Sequence, residues 1–180
     1  MARTSLEIAA KLFYRTILTH VVNPQGEEIK KEGLTPVQLS CMYFVYVHHE
    51  PSVGSIAEGL RISNAATVKL IDRLVKKDFL VREEDKADRR MLKIKLTAPG
   101  LELVKKHFTG QTKLFNKIIE RMSPEGASAL ETGLTAFLSA ALVTPEQIEE
   151  ICLMCGFEHL PDCPGNVRYK GLTGRNKEQV

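Results

Sequence analysis

Apolar positions recur with a helical period over most of this chain, and one stretch breaks the rhythm. Between residues 79 and 96 the period falls to two: Leu92, Ile94 and Leu96 alternate with Met91, Lys93 and Lys95, as a half-buried strand requires. Residues 79–83 supply its partner, and the polar segment Glu84-Asp85-Lys86-Ala87-Asp88-Arg89-Arg90 between them reads as a hairpin loop in solvent. Elsewhere, hydroxyl side chains followed by proline mark where helices begin. Thr35-Pro36-Val37-Gln38 combines a capping hydroxyl, Pro at the first helical position and Gln at the third, which makes a capping box. Ser123-Pro124 and Thr144-Pro145-Glu146-Gln147 repeat the device, and Thr97-Ala98-Pro99 is a looser form of it. The predicted helices lie near 5–22, 35–48, 55–60, 63–77, 97–121, 124–142 and 145–154. The fold class is mainly α with a small β wing.

Residues 62–100 set a polar-capped amphipathic helix, a hairpin and a new helix in immediate succession. This order describes a reading helix with a wing beside it: a helix fits the major groove, and a basic hairpin next to it reaches the minor groove or the phosphates. In the helix opened by Ser63, Thr67, Leu70, Ile71 and Leu74 share one face; Ala65, Val68, Lys69, Asp72 and Lys76 share the other, with Arg73 at its margin. Ile56, Ala57, Leu60 and Ile62 would fill the angle with the short helix before it. The small, neutral N-terminal half of the outward face allows close approach to base edges and thymine methyls, Ser63 and Asn64 can hydrogen-bond bases or phosphate, and Lys69 and Arg73 can reach phosphate or guanine. The candidate DNA contacts on this helix are Ser63, Asn64, Ala65, Thr67, Val68, Lys69 and Arg73.

Charge supports this placement. Residues 61–95 hold eleven Lys/Arg against six acids, a net +5 in a chain whose total is +3, so the remainder is slightly acidic. Positive charge concentrated on one segment is the footprint of a polyanion binder. With 180 residues, 43% of them hydrophobic, and no Pro/Gly-rich linker, the chain is expected to form one domain with an appendage. No run of about 18 apolar residues is present, and charges interrupt the N-terminus where a signal peptide needs its apolar region, so a soluble, cytoplasmic protein without membrane contact is expected. Nor does the chain show a nucleophile–base constellation, a Gly-rich phosphate loop or paired catalytic carboxylates, and an enzyme is not expected. The helices near 5–22 and 124–142 have wide apolar faces that either complete the core or pack against a second copy. A homodimer is expected, because a helix–turn–helix reader gains affinity and specificity from two half-sites.

The combination of Leu34-Thr35-Pro36-Val37-Gln38, Ile56-Ala57-Glu58-Gly59-Leu60, Ile62-Ser63, Asp72-Arg73-Leu74-Val75-Lys76-Lys77, the wing Asp85-Lys86-Ala87-Asp88-Arg89-Arg90 and Leu96-Thr97-Ala98-Pro99-Gly100 resembles the MarR family of winged-helix transcription regulators over roughly residues 5–142. The resemblance implies a domain over 1–142, with its reading unit at 53–96, and a homodimer whose terminal helices interleave. It further implies reading helices in successive major grooves of a pseudo-palindrome, Arg90 (or Arg89) in the minor groove, Asp88 bracing the wing, and a small-molecule effector between the dimer helices and the reading lobe. Two positions depart from the pattern. Asp78 and Arg61 stand where Gly is usual, and both call for positive φ.

The extension, 143–180, contains Cys152-x2-Cys155-x3-His159-x3-Cys163 followed by Pro164-Gly165. Cys152, Cys155, His159 and Cys163 make a soft tetrahedral set suited to Zn2+. Cys-Pro after a CxxC also suits an iron–sulfur cluster, and two of the thiols can oxidise to a disulfide. Cys41 is different: it shares a face with Val37, Phe44, Val45 and His48 and reads as a buried small hydrophobe. The functional expectation is a dimeric repressor tuned by a small-molecule, metal or redox signal. The alternative is a metal or thiol redox protein that keeps a winged-helix scaffold.

Overall fold

The computed structural model describes residues 2–22, 31–84, 92–155 and 160–177. Helix α1 (Ala2–Ile17) continues through one wide turn, Leu18–Val22. Then come α2 (Pro36–His48), α3 (Val53–Leu60), α4 (Asn64–Lys76), the strands β1 (Leu80–Glu84) and β2 (Leu92–Leu96), α5 (Ala98–Ile119), α6 (Pro124–Ala141), α7 (Pro145–Cys155) and α8 (Pro164–Thr173). The architecture is mainly helical with one two-stranded antiparallel sheet.

The hydroxyl-proline pairs start helices as predicted. Thr35 Oγ1 accepts from the Gln38 amide while the Gln38 side chain accepts from the Thr35 amide at 2.9 Å, closing the capping box. Thr97 and Ser123 cap α5 and α6 in the same way, each accepting from the backbone of a glycine three residues on. Glu125 and Glu146, in first turns, have carboxyls held below the ordinary range chiefly by their own backbone amides and then by the capping Ser123 and Thr144 hydroxyls.

Helices α2, α3 and α4 pack with β2 and α5 around Cys41, Met42, Phe44, Ile56, Ile71, Leu74, Ile94 and Val104, all buried. Burial pushes the Cys41 thiol up to about 12, as a small core hydrophobe requires. The sheet pairs Leu80 with Leu96 and Arg82 with Ile94. Ser52 adds a single bridge to Lys93, and the Ile94 amide donates to the Pro51 carbonyl, so the strand is stitched to the start of α3. Of the three apolar β2 positions, Ile94 is fully buried and Leu96 half-buried, whereas Leu92 is exposed because the hairpin has left the core by that point.

Helices α3 and α4 are followed by left-handed residues at the two positions where the resemblance implied glycine. Arg61 has φ 54° and Asp78 has φ 60°. The following amides close the turns: Ile62 donates to the Ala57 carbonyl and Phe79 to the Leu74 carbonyl. Glycine is required instead where helices touch. A β-carbon on Gly59 would lie 2.0 Å from the Phe44 ring, and one on Gly100 would lie 2.2 Å from the Phe79 carbonyl oxygen. Gly59→Ala should therefore destabilise the fold by about 1–3 kcal/mol despite its better helix propensity. Thermal unfolding should show a midpoint lower by several degrees, about 2–4 °C per kcal/mol; an unchanged midpoint would mean that Phe44 can move aside.

One element was not anticipated: α8, in the stretch beyond residue 154. Pro164 occupies its first turn, where the missing N–H costs nothing, and Cys163 stands at its N-cap without a side-chain cap bond. Leu142, Ile148 and Tyr169 form a second small core with Leu138 and Cys152 at its edge. Buried Asn166 ties the chain together, donating to the Pro161 carbonyl and accepting from the Lys177 amide. None of the helices among the described residues is long and apolar enough to cross a membrane.

Candidate nucleic-acid interface

Helix α4 begins where Ser63 Oγ accepts from the Ala66 amide at 3.2 Å, and it buries Thr67, Leu70, Ile71 and Leu74. That burial sets its rotation. Ser63, Asn64, Ala65, Val68, Lys69, Arg73 and Lys76 are left exposed. Thr67 must be removed from the candidate contacts: it is fully buried, and its hydroxyl donates to the Ser63 carbonyl at 3.0 Å. Its methyl completes the apolar stripe while the hydroxyl is satisfied locally, so the side chain has no route to a ligand.

Lys69, Arg73 and Lys76 stand at i, i+4 and i+7, a single cationic stripe along α4. Among the described residues these three make no ion pair, whereas other cations of the basic segment are committed to the protein. Arg82 of β1 donates to Asp72 at 2.7 Å, which binds the wing to α4 and neutralises the one acid on the outward side of the helix. Lys95 of β2 lies 2.6 Å from Glu50 and 2.8 Å from Glu83, and those two carboxylates, Glu50 foremost, push its ammonium up to about 12. Lys77 donates to the carbonyls of Glu32 and Gly33, both at 2.8 Å. Arg61, in the turn between α3 and α4, pairs with Glu150 of α7.

Sequence reasoning missed these four commitments. For Arg82 a signal existed, since it shares strand parity with buried Leu80 and so points toward α4. The carboxylates that engage Lys95 and Arg61 come from Glu50 and Glu150, distant in sequence, and no local pattern names them. Asp88, Arg89 and Arg90, expected at the wing tip, lie outside the described residues.

The outward face of α4 has the chemistry of a groove reader: a small neutral N-terminal half, one apolar methyl pair at Val68 and cations farther along. Behind it, α2 carries an aromatic group in which Tyr43 stacks on Phe108 of α5 with centroids 3.8 Å apart, and burial, aided by Cys155 and Tyr46, pushes the Tyr43 hydroxyl up. Beside them His107 meets Gln111, whose amide also reaches the Val22 carbonyl at 3.4 Å.

The proposed metal set is only partly visible. Cys152, Cys155 and Cys163 are half-buried cysteines not joined in disulfides, and His159 lies outside the described residues. Among the described residues no three His, Cys, Asp or Glu side chains converge as metal donors. Two sulfurs share a neighbour: those of Cys152 and Cys163 lie 3.4 and 3.7 Å from the point a β-carbon on Gly165 would occupy.

Comparison with known proteins agrees with this geometry. Residues 34–92 match the model of the MarR family. The HTH-type transcriptional repressor MdtR of Bacillus subtilis is 27% identical over 122 residues, which cover 67% of this chain and 77% of that protein. The HTH-type regulator YsmB of the same organism is 24% identical over 115 residues, 63% of this chain and 79% of its own. Among solved structures, Streptococcus pneumoniae FabT in complex with DNA superposes with a TM-score of 0.63 at 18% identity, covering 78% of this chain and 97% of its own, a likeness of fold. Residues 34–92 of this chain are thus similar to the MarR family, and the relatives that share this stretch are named as HTH-type transcriptional regulators.

Proposed function

We propose that the protein binds double-stranded DNA as a homodimer at a pseudo-palindromic site and represses transcription until a signal alters the spacing of its two reading heads. The observation that carries this reading is the outward face of α4: Asn64, Ala65, Val68, Lys69 and Arg73 are exposed together on a helix whose opposite face is locked into the core. Such a helix enters the major groove with its N-terminal residues at the bases and its later cations at the phosphates. In this reading Ser63 serves chiefly as the cap that orients α4, and Arg90 or Arg89, with Asp88, acts from the wing. The dimer reading rests on α1, where Leu6, Ile8, Leu12 and Tyr14 are each more than half exposed. The meeting point of α1, α2 and α5 around Tyr43, Phe108 and Gln111 is where a small-molecule effector would bias the spacing, and the cytoplasm is where such a regulator would act.

The test is fluorescence anisotropy on DNA from upstream of its own gene, titrated at several salt concentrations. Specific binding should weaken linearly in log–log form with salt. Lys69→Ala should reduce the steepness of that dependence by about one counterion and weaken binding similarly on specific and unrelated DNA. Absence of salt-dependent binding would defeat the regulator reading, and an unchanged slope would take Lys69 off the phosphates.

A further inference from the structure

Among the described residues, three polar contacts fasten the extension to the reading head. Glu150 pairs with Arg61 in the helix–turn–helix turn. His48 Nε2, at the end of α2, lies 2.9 Å from the Leu153 carbonyl and donates to it, since a carbonyl can only accept. The Tyr43 hydroxyl donates to the Cys155 carbonyl at 3.5 Å. All three partners lie on α7, and the same helix carries Cys152 and Cys155. Cys152 faces away from the head, toward the N-terminal end of α8, where its sulfur and that of Cys163 border the bare Cα of Gly165.

We propose that Cys152 and Cys163 form a reversible disulfide that joins α7 to α8 and, through the α7 contacts, changes the affinity of the reading head for DNA. This rests on the DNA-binding reading above. The oxidant is a low-molecular-weight disulfide. The Cys163 sulfur, as thiolate, attacks one sulfur of the oxidant, forming a mixed disulfide and expelling one small thiolate. That thiolate takes the proton of the Cys152 thiol, whose sulfur then attacks the Cys163 sulfur and expels the second small thiolate. Two protein thiols are oxidised to one disulfide, and the small disulfide is reduced to two thiols. A Cys152–Cys155 bond would join residues on one helical turn and tie α7 to nothing, whereas Cys152–Cys163 spans two elements. Buried Cys41 stays outside this chemistry.

Because α7 braces α2 and the α3–α4 turn, drawing Cys152 toward α8 displaces the brace that positions α4. Oxidation of the full chain with glutathione disulfide should yield a Cys152–Cys163 peptide by non-reducing mass mapping, with loss of two hydrogens. DNA affinity should fall by about fivefold or more, the lower end of ordinary coupling between sites, and return on reduction. Cys163→Ser, which places a good cap residue at the start of α8 and should fold, must abolish both changes. Formation of Cys152–Cys155 or only of mixed disulfides would overturn the pairing. A correct bond with affinity equal to that of Cys163→Ser would overturn the regulation. If reduced wild-type protein fails to bind DNA at all, the DNA-binding reading falls and the regulatory claim with it, while the peptide map still decides the pairing.

Discussion

Glutamate at both Leu6 and Leu12 should convert the protein to a monomer and lower its DNA affinity by about 10²–10⁴, the range contributed by a second linked binding site. Leu6 and Leu12 are 72% and 62% exposed, with Ile8 and Tyr14 also open, so α1 presents apolar side chains that the core of a single chain does not cover. A face of this kind is stable in water when a second surface covers it. The substitutions should leave the fold intact, because neither side chain belongs to the core and glutamate is a good helix former. Light scattering reports the mass, circular dichroism the helix content and anisotropy the affinity. A double variant that remains dimeric would move the interface elsewhere, to α6 or the tail.

Val68→Asp is expected to be nearly as damaging to DNA binding, through the electrostatics of α4. Val68 is 41% exposed at the centre of the outward face, between Ala65 and Lys69. A carboxylate there would face base-edge acceptors and the phosphate field, and it would offset the charge of Lys69. Losing one apolar base contact and gaining that repulsion should cost about 2–3 kcal/mol, or roughly 30- to 150-fold in affinity. Stability should change little, since exposed substitutions usually stay within about 0.5 kcal/mol and valine and aspartate have similar helix propensities. Val68→Thr, nearly the same shape, should retain most of the binding. Equal affinity for Val68→Asp and wild type would show that α4 does not enter the groove.

Particular residues show how much of this could be read in advance. Thr35, Gln38 and Pro36 act over a few residues, and the capping box formed as written. Arg61 and Asp78 adopt the left-handed conformations that their positions demanded, because a helix that stops abruptly needs one. Cys41 is buried, as its place on an apolar face of α2 implied. Thr67 lies where face counting put it, beside Leu70, Ile71 and Leu74, and its place among the candidate contacts ignored that count; its hydroxyl back-bonds to Ser63 inside the core. The fate of Asp72 and Lys95 was less accessible still, because Arg82, Glu50 and Glu83 neutralise them across elements.

By itself, the sequence determined where helices start and stop, that a helix–turn–helix is followed by a hairpin, and which face of α4 turns inward. Each of these depends on hydrogen bonds or apolar spacing within a few residues, so local chemistry suffices. Only the tertiary structure decided which cations stay outward, that α8 exists beneath α7, and that the cysteine-bearing tail grips Arg61, His48 and Tyr43. Those outcomes depend on partners from 10 to 112 positions away on other elements, and ion pairs and carbonyl contacts between elements leave no periodic trace in a sequence.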